Sequence, residues 1–422
     1  MKGTERRVIE VWADWRGLNR FGALYAEAVR RQESFSFEYD AGWFKTGQSQ
    51  SLDPRLQLYA GPQYPSGGHE NFGVFLDSAP DRWGRLLMDR REELAAREEG
   101  RAKRPLRSSD YLLGVHDAQR MGALRFRLEP GGPFLDNHPD SACPPWASLR
   151  ELEAASLALE GRGAESKADY SKWLRMLIAP GGSLGGARPK AGVIDSEDGL
   201  WIAKFPSRND PVDKGLWEYV VHTLARKAAV VVPEAHVRTF NTAHHTFLTR
   251  RFNRGPTLQR IHFTSAMTAL NKQDGDDHAS VSYLDLAEFI TRNGANVEFD
   301  LEQLWRRIVF SMCVSNVDDH LRNHGFLLSE NGWNLSPAYD INPDPDGDGL
   351  KLNVSEVDNS QDLELAEEVS QFFRVKAHRA KDIMTEVVTA VQGWPKVAAS
   401  YGVSRQECEL MAPAFRVAKA SV

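Results

Sequence analysis

Asn316-Val317-Asp318-Asp319-His320-Leu321-Arg322-Asn323, with Leu335-Ser336-Pro337-Ala338-Tyr339-Asp340-Ile341 shortly after it, decides how this chain is read. The first segment sets an aspartate and an asparagine, Asp318 and Asn323, five positions apart, and Asp340 follows Asn323 by seventeen. Upstream, Leu301, Leu304, Ile308 and Met312 recur at intervals of three and four, which predicts a buried helix that delivers Asn316 to Asn323 at its C-terminal end. Asp340 is expected at the end of a short strand. Two oxygen ligands of this kind, completed by phosphates and water, suit Mg²⁺, which rarely takes a full protein cage.

The Asp-to-Asn interval is that of the protein-kinase catalytic loop, where Asp accepts the hydroxyl proton and Asn binds metal. Phosphoryl transfer further needs a phosphate cover and a cation. Both have candidates earlier in the chain. Pro180-Gly181-Gly182-Ser183-Leu184-Gly185-Gly186-Ala187-Arg188-Pro189-Lys190 is glycine-rich enough for its backbone to approach phosphates closely. Val193-Ile194 and Leu200-Trp201-Ile202-Ala203-Lys204-Phe205 flank an Asp198-Gly199 turn and read as a hairpin. Lys204 is a cation in an apolar strand, which is costly without a partner. Glu218, in a helix expected from about Asp213 to Ala229, is the natural one.

The remaining chain bounds the reading. At 422 residues it exceeds one ordinary core. An apolar share of 41% and a charged share of 26%, with no stretch of ~20 apolar residues, are those of a globular protein outside the membrane. No signal-peptide pattern opens the sequence, so a cytoplasmic location is expected. Cys143, Cys313 and Cys408 are odd in number and far apart, which suggests neither a disulfide framework nor a cysteine zinc site. A net charge of −6 provides no whole-molecule attraction to nucleic acid. Val8 to Trp15, Trp43-Phe44 and Leu56 to Tyr59 read as strands of an N-terminal β module. Pro80 lies near the first turn of a helix, and Glu92 to Arg104 reads as a solvated charged face. The stretch from Glu129 to Pro145 is the expected linker. Val230-Val231-Val232 with Thr246-Phe247-Leu248-Thr249 reads as a strand pair.

Taken together, these motifs resemble the HipA family of serine/threonine kinase toxins from type II toxin–antitoxin systems. Asp318 to Asn323 resembles its D-x-H-x-K/R-N loop, Ser336 to Asp340 its SPxYD, and Ser183 to Lys190 its SxxGAQxK phosphate loop. Trp201 to Phe205 is similar to its lysine strand, Glu218 to its helix glutamate, and Thr249 to Arg254 to its ERFDR segment. Phe75 to Arg85, Leu112 to Gly114 and Met121 to Leu124 resemble parts of its N-terminal subdomain, so the likeness spans nearly the whole chain.

The resemblance implies an α+β fold: a HipA-like bilobal kinase with a β-rich subdomain at residues 1–130, a nucleotide-binding region at 146–252 and a helical catalytic lobe at 253–422. It implies ATP and Mg²⁺ as cofactors. Asp318 is then the catalytic base, His320 holds the loop's shape, and Asn323 and Asp340 are the metal ligands. Lys204 and Glu218 form the nucleotide-binding ion pair, with Ser183, Gly185, Gly186, Ala187 and Lys190 in the phosphate loop. It also implies autophosphorylation at Ser183, a cytosolic protein substrate such as an aminoacyl-tRNA synthetase, and a separate HipB-like antitoxin through which alone DNA is reached. Arg188-Pro189 before Lys190, and Arg250 and Asn253 in the ERFDR-like segment, depart from the family pattern.

Rival readings are weaker. His320 and His324 lack the Glu of a zincin helix, since Leu321 follows His320. Asp344, Asp346, Asp348 and Gly349 imitate an EF-hand but place Ser355 at the twelfth position, where Glu is required. A small-molecule phosphotransferase shares the Asp-to-Asn interval, and a mainly non-catalytic subunit of an antitoxin–operator complex is the non-enzymatic alternative.

Overall fold

The structure, a computed structural model, describes residues 6–29, 32–48, 50–135, 143–178, 186, 188–197, 199–273 and 281–420. The chain divides into two compact units, Met1–Arg208 with Asn253–Thr264, and Asn209–Phe252 with Ser265–Val422.

The first unit opens with an antiparallel sheet of β1 (Arg6–Asp14), β2 (Leu18–Val29), β3 (Gln32–Tyr39) and β4 (Leu124–Arg127), in the order β3-β2-β1-β4. Alternation along β1 and β3 sends Ile9, Val11, Phe35 and Phe37 inward. Phe21 packs there on Phe37, tilted, and on Trp43, edge-on, at centroid distances of 5.2 and 5.0 Å. Gly22 is required by the close approach of β3, since a Cβ there would lie 2.2 Å from the Glu38 carbonyl oxygen.

Two expected strands are absent from this unit. Trp43–Lys45 is a 3₁₀ turn whose Trp43 is wholly buried under the sheet. Around Leu56 the backbone is governed by Asp53, whose carboxylate accepts from the N–H groups of Arg55 and Val74. Such side-chain bonds compete with ladder pairing.

Helix α1 (Gly73–Leu76) is short, and α2 (Arg82–Glu98) begins at Asp81, whose carboxylate accepts from Gly84 N at 2.7 Å. Pro80 sits immediately before the cap, next to the first turn as expected. The charged run beyond it is not a plain solvated face. Glu92 is 8% exposed and accepts from Arg101 and from the Arg104 N–H at 3.0 Å. Arg101 and that N–H hold its carboxyl down at about 2. Next come α3 (Ser108–Leu113), α4 (Leu149–Leu159) and α5 (Tyr170–Ile178), the last packed on α2 and α4. The expected hairpin is present as β5 (Lys190–Ile194) and β6 (Leu200–Lys204), in a register that sets Lys190 opposite Lys204. Asp195 closes its turn through the N–H groups of Glu197 and Gly199. Asp198 lies outside the described residues.

In the second unit α6 (Lys214–Lys227) is capped by Asp213, which also accepts from His245 N at 3.0 Å. The next strands are β7 (Ala235–Arg238) and β8 (Thr246–Arg250), paired antiparallel. Val230 to Val232 is not the strand expected of it. The Val230 N–H is taken by the end of α6 and the Val231 N–H by Gln303, and Pro233 offers none. The chain re-enters this unit at Ser265, the last residue of a short strand, β9 (Phe263–Ser265), and α7 (Ala266–Ala269) leads on to α8 (Tyr283–Asn293) and α9 (Val297–Val314). Leu301, Leu304, Ile308 and Met312 of α9 are all fully buried, as their spacing predicts. Helix α9 packs on α8, α10 (Leu363–Val369), α11 (Ala377–Gln392) and α14 (Arg416–Ala420), with α12 (Trp394–Ser400) and α13 (Arg405–Met411) completing the helical part. Between α9 and α10 lies the hairpin of β10 (Gly325–Ser329) and β11 (Gly332–Leu335). Among the described residues no helix is long and apolar enough to cross a membrane.

Candidate functional site

Helix α9 ends at Ser315, whose left-handed backbone (φ 50°) turns the chain out of the helix. The next eight residues fold on themselves. His320 N donates to the Asp318 carbonyl at 2.9 Å, Asn323 N to the His320 carbonyl at 2.8 Å, and Asn323 Nδ2 to the Asp318 carbonyl at 3.0 Å. That last bond orients the amide so that Oδ1 is the Asn323 atom able to meet a cation. Asp318, Asn323 and His320 are thereby held in one compact turn.

The Asp340 segment is laced to this turn. Asn342 N donates to Asn316 Oδ1 and Asn342 Nδ2 to Asp340 Oδ1, each at 3.1 Å. Tyr339 Oη donates to the Arg322 carbonyl at 2.8 Å. Asp340 itself has φ 58°, a conformation that non-glycine residues adopt rarely and that concentrates at functional sites. It lies five residues beyond the end of β11 instead of on it.

Asp318 and Asp319, adjacent in sequence, face different environments. Asp318 is exposed, whereas Asp319 is 5% exposed. Tyr283 Oη of α8 donates to Asp319 Oδ2 at 2.6 Å, and His324 Nε2 lies 2.9 Å from Oδ1. Burial alone would raise the Asp319 carboxyl, but His324 and the Tyr283 hydroxyl outweigh it and hold it below the usual range. Arg307 of α9, fully enclosed, is lowered by desolvation to about 10 even with Asp319 and Asp300 nearby. Its guanidinium donates to the Ser336 carbonyl. A cavity of about 10 Å³ between Arg307, Asn316, Asp319, Asn323, His324 and Tyr339 lies beneath the turn. Tyr283 and Arg307 were not singled out from sequence, and Asp319 and His324 entered only the metallohydrolase alternative; the doubled aspartate was a signal for the inner carboxylate.

For Mg²⁺ the donor set fits. Asn323 and Asp340 contribute oxygen only, and among the described residues no group of three or more His, Cys, Asp or Glu forms an all-protein cage. His320 and His324 do not share a helix face, because only a 3₁₀ turn, Leu321–Asn323, lies between them. The Asp344 carboxylate is engaged by Asp346 N at 2.9 Å in a local turn.

Glu218 is buried on α6 in the same unit. The other expected nucleotide residues belong to the first unit. Lys204 is half-buried at the end of β6. Lys190 is 3% exposed, with Nζ 3.0 Å from Asp81 Oδ2 and donating to the Gly186 carbonyl at 3.2 Å. Gly186 takes φ 97°. Ser183, Gly185 and Ala187 lie outside the described residues.

Residues 182–394 match the family described as HipA-like C-terminal domain. A Haemophilus influenzae protein described as "Putative kinase" is 27% identical over 180 residues, covering 38% of this chain and 52% of that protein. The match thus spans about half of that relative's length. Over 98% of this chain and 96% of the other, the fold superposes with a TM-score of 0.66 and 16% identity on HipA of the Shewanella oneidensis MR-1 toxin–antitoxin system, solved as a complex of HipA, HipB and operator DNA.

Proposed function

The chain belongs to the HipA-like C-terminal domain family, and from that premise we propose that it is an ATP- and Mg²⁺-dependent serine/threonine protein kinase acting as the toxin of a toxin–antitoxin pair. The observation that carries this reading is the lacing of Asp318, Asn323 and Asp340, with Asp318 exposed while Asp319 is spent inside the fold. An exposed carboxylate on a rigid turn can orient an acceptor hydroxyl and take its proton. Asn323 Oδ1 and the Asp340 carboxylate are the ligands offered to Mg²⁺, which when bound would neutralise charge on the transferred phosphoryl group. His320 contributes its backbone to the turn, through bonds to both Asp318 and Asn323.

Residues 146–252 supply the nucleotide-binding part in this reading, and 253–422 the catalytic lobe. Lys204 is the cation for the α- and β-phosphates and Glu218 its orienting partner. Ser183, Gly185, Gly186, Ala187 and Lys190 form the phosphate loop, and Ser183 is its autophosphorylation site. The substrate is a cytosolic protein, with an aminoacyl-tRNA synthetase as first candidate, and a HipB-like antitoxin carries the DNA contact. The Shewanella complex supports a partner of that kind.

The test is phosphoryl transfer by purified protein with ATP and Mg²⁺, wild type against Asp318→Ala. Loss of transfer with an unchanged circular-dichroism spectrum is expected. Undiminished transfer by Asp318→Ala would overturn the assignment.

A further inference from the structure

Lys190 is at once buried, charged and opposite a second lysine. Residues that face each other across an antiparallel pair have Cβ atoms about 5 Å apart, and like charges there repel. The register of β5 and β6 puts Lys190 in that relation to Lys204. One of the groups that meets the Lys190 ammonium comes from far away in sequence. Asp81 Oδ2 lies 3.0 Å from Nζ, and the two side chains are 7% and 4% exposed.

The same helix turn makes further contacts. Trp83 Nε1 donates to the Lys190 carbonyl at 3.0 Å, and Trp83 N to the Gly186 carbonyl at 3.4 Å. Lys190 Nζ donates to that Gly186 carbonyl as well. Asp81 is simultaneously the N-cap of α2, accepting from Gly84 N, so its carboxylate cannot move without loosening the helix start. Residues 81–84 thus hold both Gly186 and Lys190, at the downstream end of the glycine-rich stretch. A buried ion pair adds little net stability over an apolar pair of the same volume, so position is the better account of its presence.

We propose that Asp81 is a positioning residue for nucleotide. By taking up the Lys190 ammonium it latches the exit of the glycine-rich segment to the start of α2 and leaves Lys204 as the lysine that serves the phosphates. Lys190 then acts on nucleotide through the loop it anchors. This rests on the kinase reading above, and it predicts that Asp81 and Lys190 behave as one unit, since partners in a shared contact are non-additive.

Three measurements on the full chain test it. Amide hydrogen exchange of nucleotide-free protein should be faster across residues 186–194 in Asp81→Asn and in Lys190→Met than in wild type, with far-UV dichroism unchanged. ATP binding should weaken about tenfold in each, as the loss of one preorganised loop would give. The double variant Asp81→Asn with Lys190→Met should bind no worse than either single one. A split in which KM for ATP rises while kcat changes little separates positioning from chemistry. Tighter ATP binding by Asp81→Asn would overturn the latch, because it would mean that Asp81 restrains a lysine whose job is to bind phosphate. Unchanged exchange would also overturn it. A wild-type protein without nucleotide affinity would overturn the kinase reading and the nucleotide half of this proposal, while the exchange comparison would still decide the latch.

Discussion

At the scale of single residues, what separates Asp318 from Asp319 is the direction each side chain takes from a turn. One reaches solvent, and the other is locked between Tyr283 and His324. Removing the hydroxyl with Tyr283→Phe leaves a buried carboxylate short of one donor, a change of about 1–3 kcal/mol. Urea unfolding should register that loss, and kcat should fall while KM for ATP moves less, because the turn carrying Asp318 loosens. His262 makes a prediction about pH. It is fully buried, and burial lowers its ring to about 3, so the folded protein keeps it neutral. The unfolded chain takes up the proton below about 6.5, so stability is lost as pH falls through that value. Between pH 7 and pH 5 this amounts to about 2 kcal/mol. Denaturant titrations of His262→Gln at the two values should show a correspondingly smaller drop than wild type.

Among the elements, α9 carries the most. From Leu301 to Val314 its apolar positions are buried on every side, and its last turn aims the Asn316 to Asn323 segment. Leu304→Ala should destabilise the second unit by about 2–5 kcal/mol through the cavity it leaves, seen as an earlier unfolding transition. The helix is legible in the sequence because a period of three and four survives any tertiary context. The strands expected at Trp43, Leu56 and Val230 were not, since their residues suit a pleated surface but find their partners elsewhere. Trp43 plugs the aromatic core, Asp53 takes the backbone near Leu56, and Gln303 takes Val231. Glu92 shows the same limit for charge. Its run reads as solvent-facing, yet Arg101 and Arg104 fold back to enclose it. Because that carboxyl is depressed, the stabilisation it brings is present above about 4.5 and fades as pH falls toward about 2. Thermal melts should therefore show Glu92→Gln less stable than wild type at pH 7 and converging with it at low pH.

At the scale of the whole molecule, the kinase reading joins residues that lie more than a hundred positions apart. Lys204→Met should cut ATP use sharply and Glu218→Ala less so, read as nucleotide-dependent phosphorylation; full activity in both would make the pair structural. Intact-mass spectrometry should find phosphate on Ser183 in wild type and none in Asp318→Ala, with Ser183→Asp binding ATP poorly because added negative charge repels the phosphates. Phosphoproteomics of cells briefly expressing wild type against Asp318→Ala should reveal the substrate as a site present only with the former. The sequence by itself determined the family and the mixed α and β fold, and it put forward Asp318, Asn323, Asp340, Lys204 and Glu218 as the proposed site, because motif chemistry needs fixed residue types at short, countable intervals. Only the tertiary structure decided which of two adjacent aspartates faces solvent, that Tyr283, Arg307 and His324 underlie the turn, and that Asp81 meets Lys190 across 109 positions. Those contacts follow from how α2 meets β5 within one unit and α8 packs on α9 within the other, and no spacing rule along the chain encodes which buried groups packing brings together.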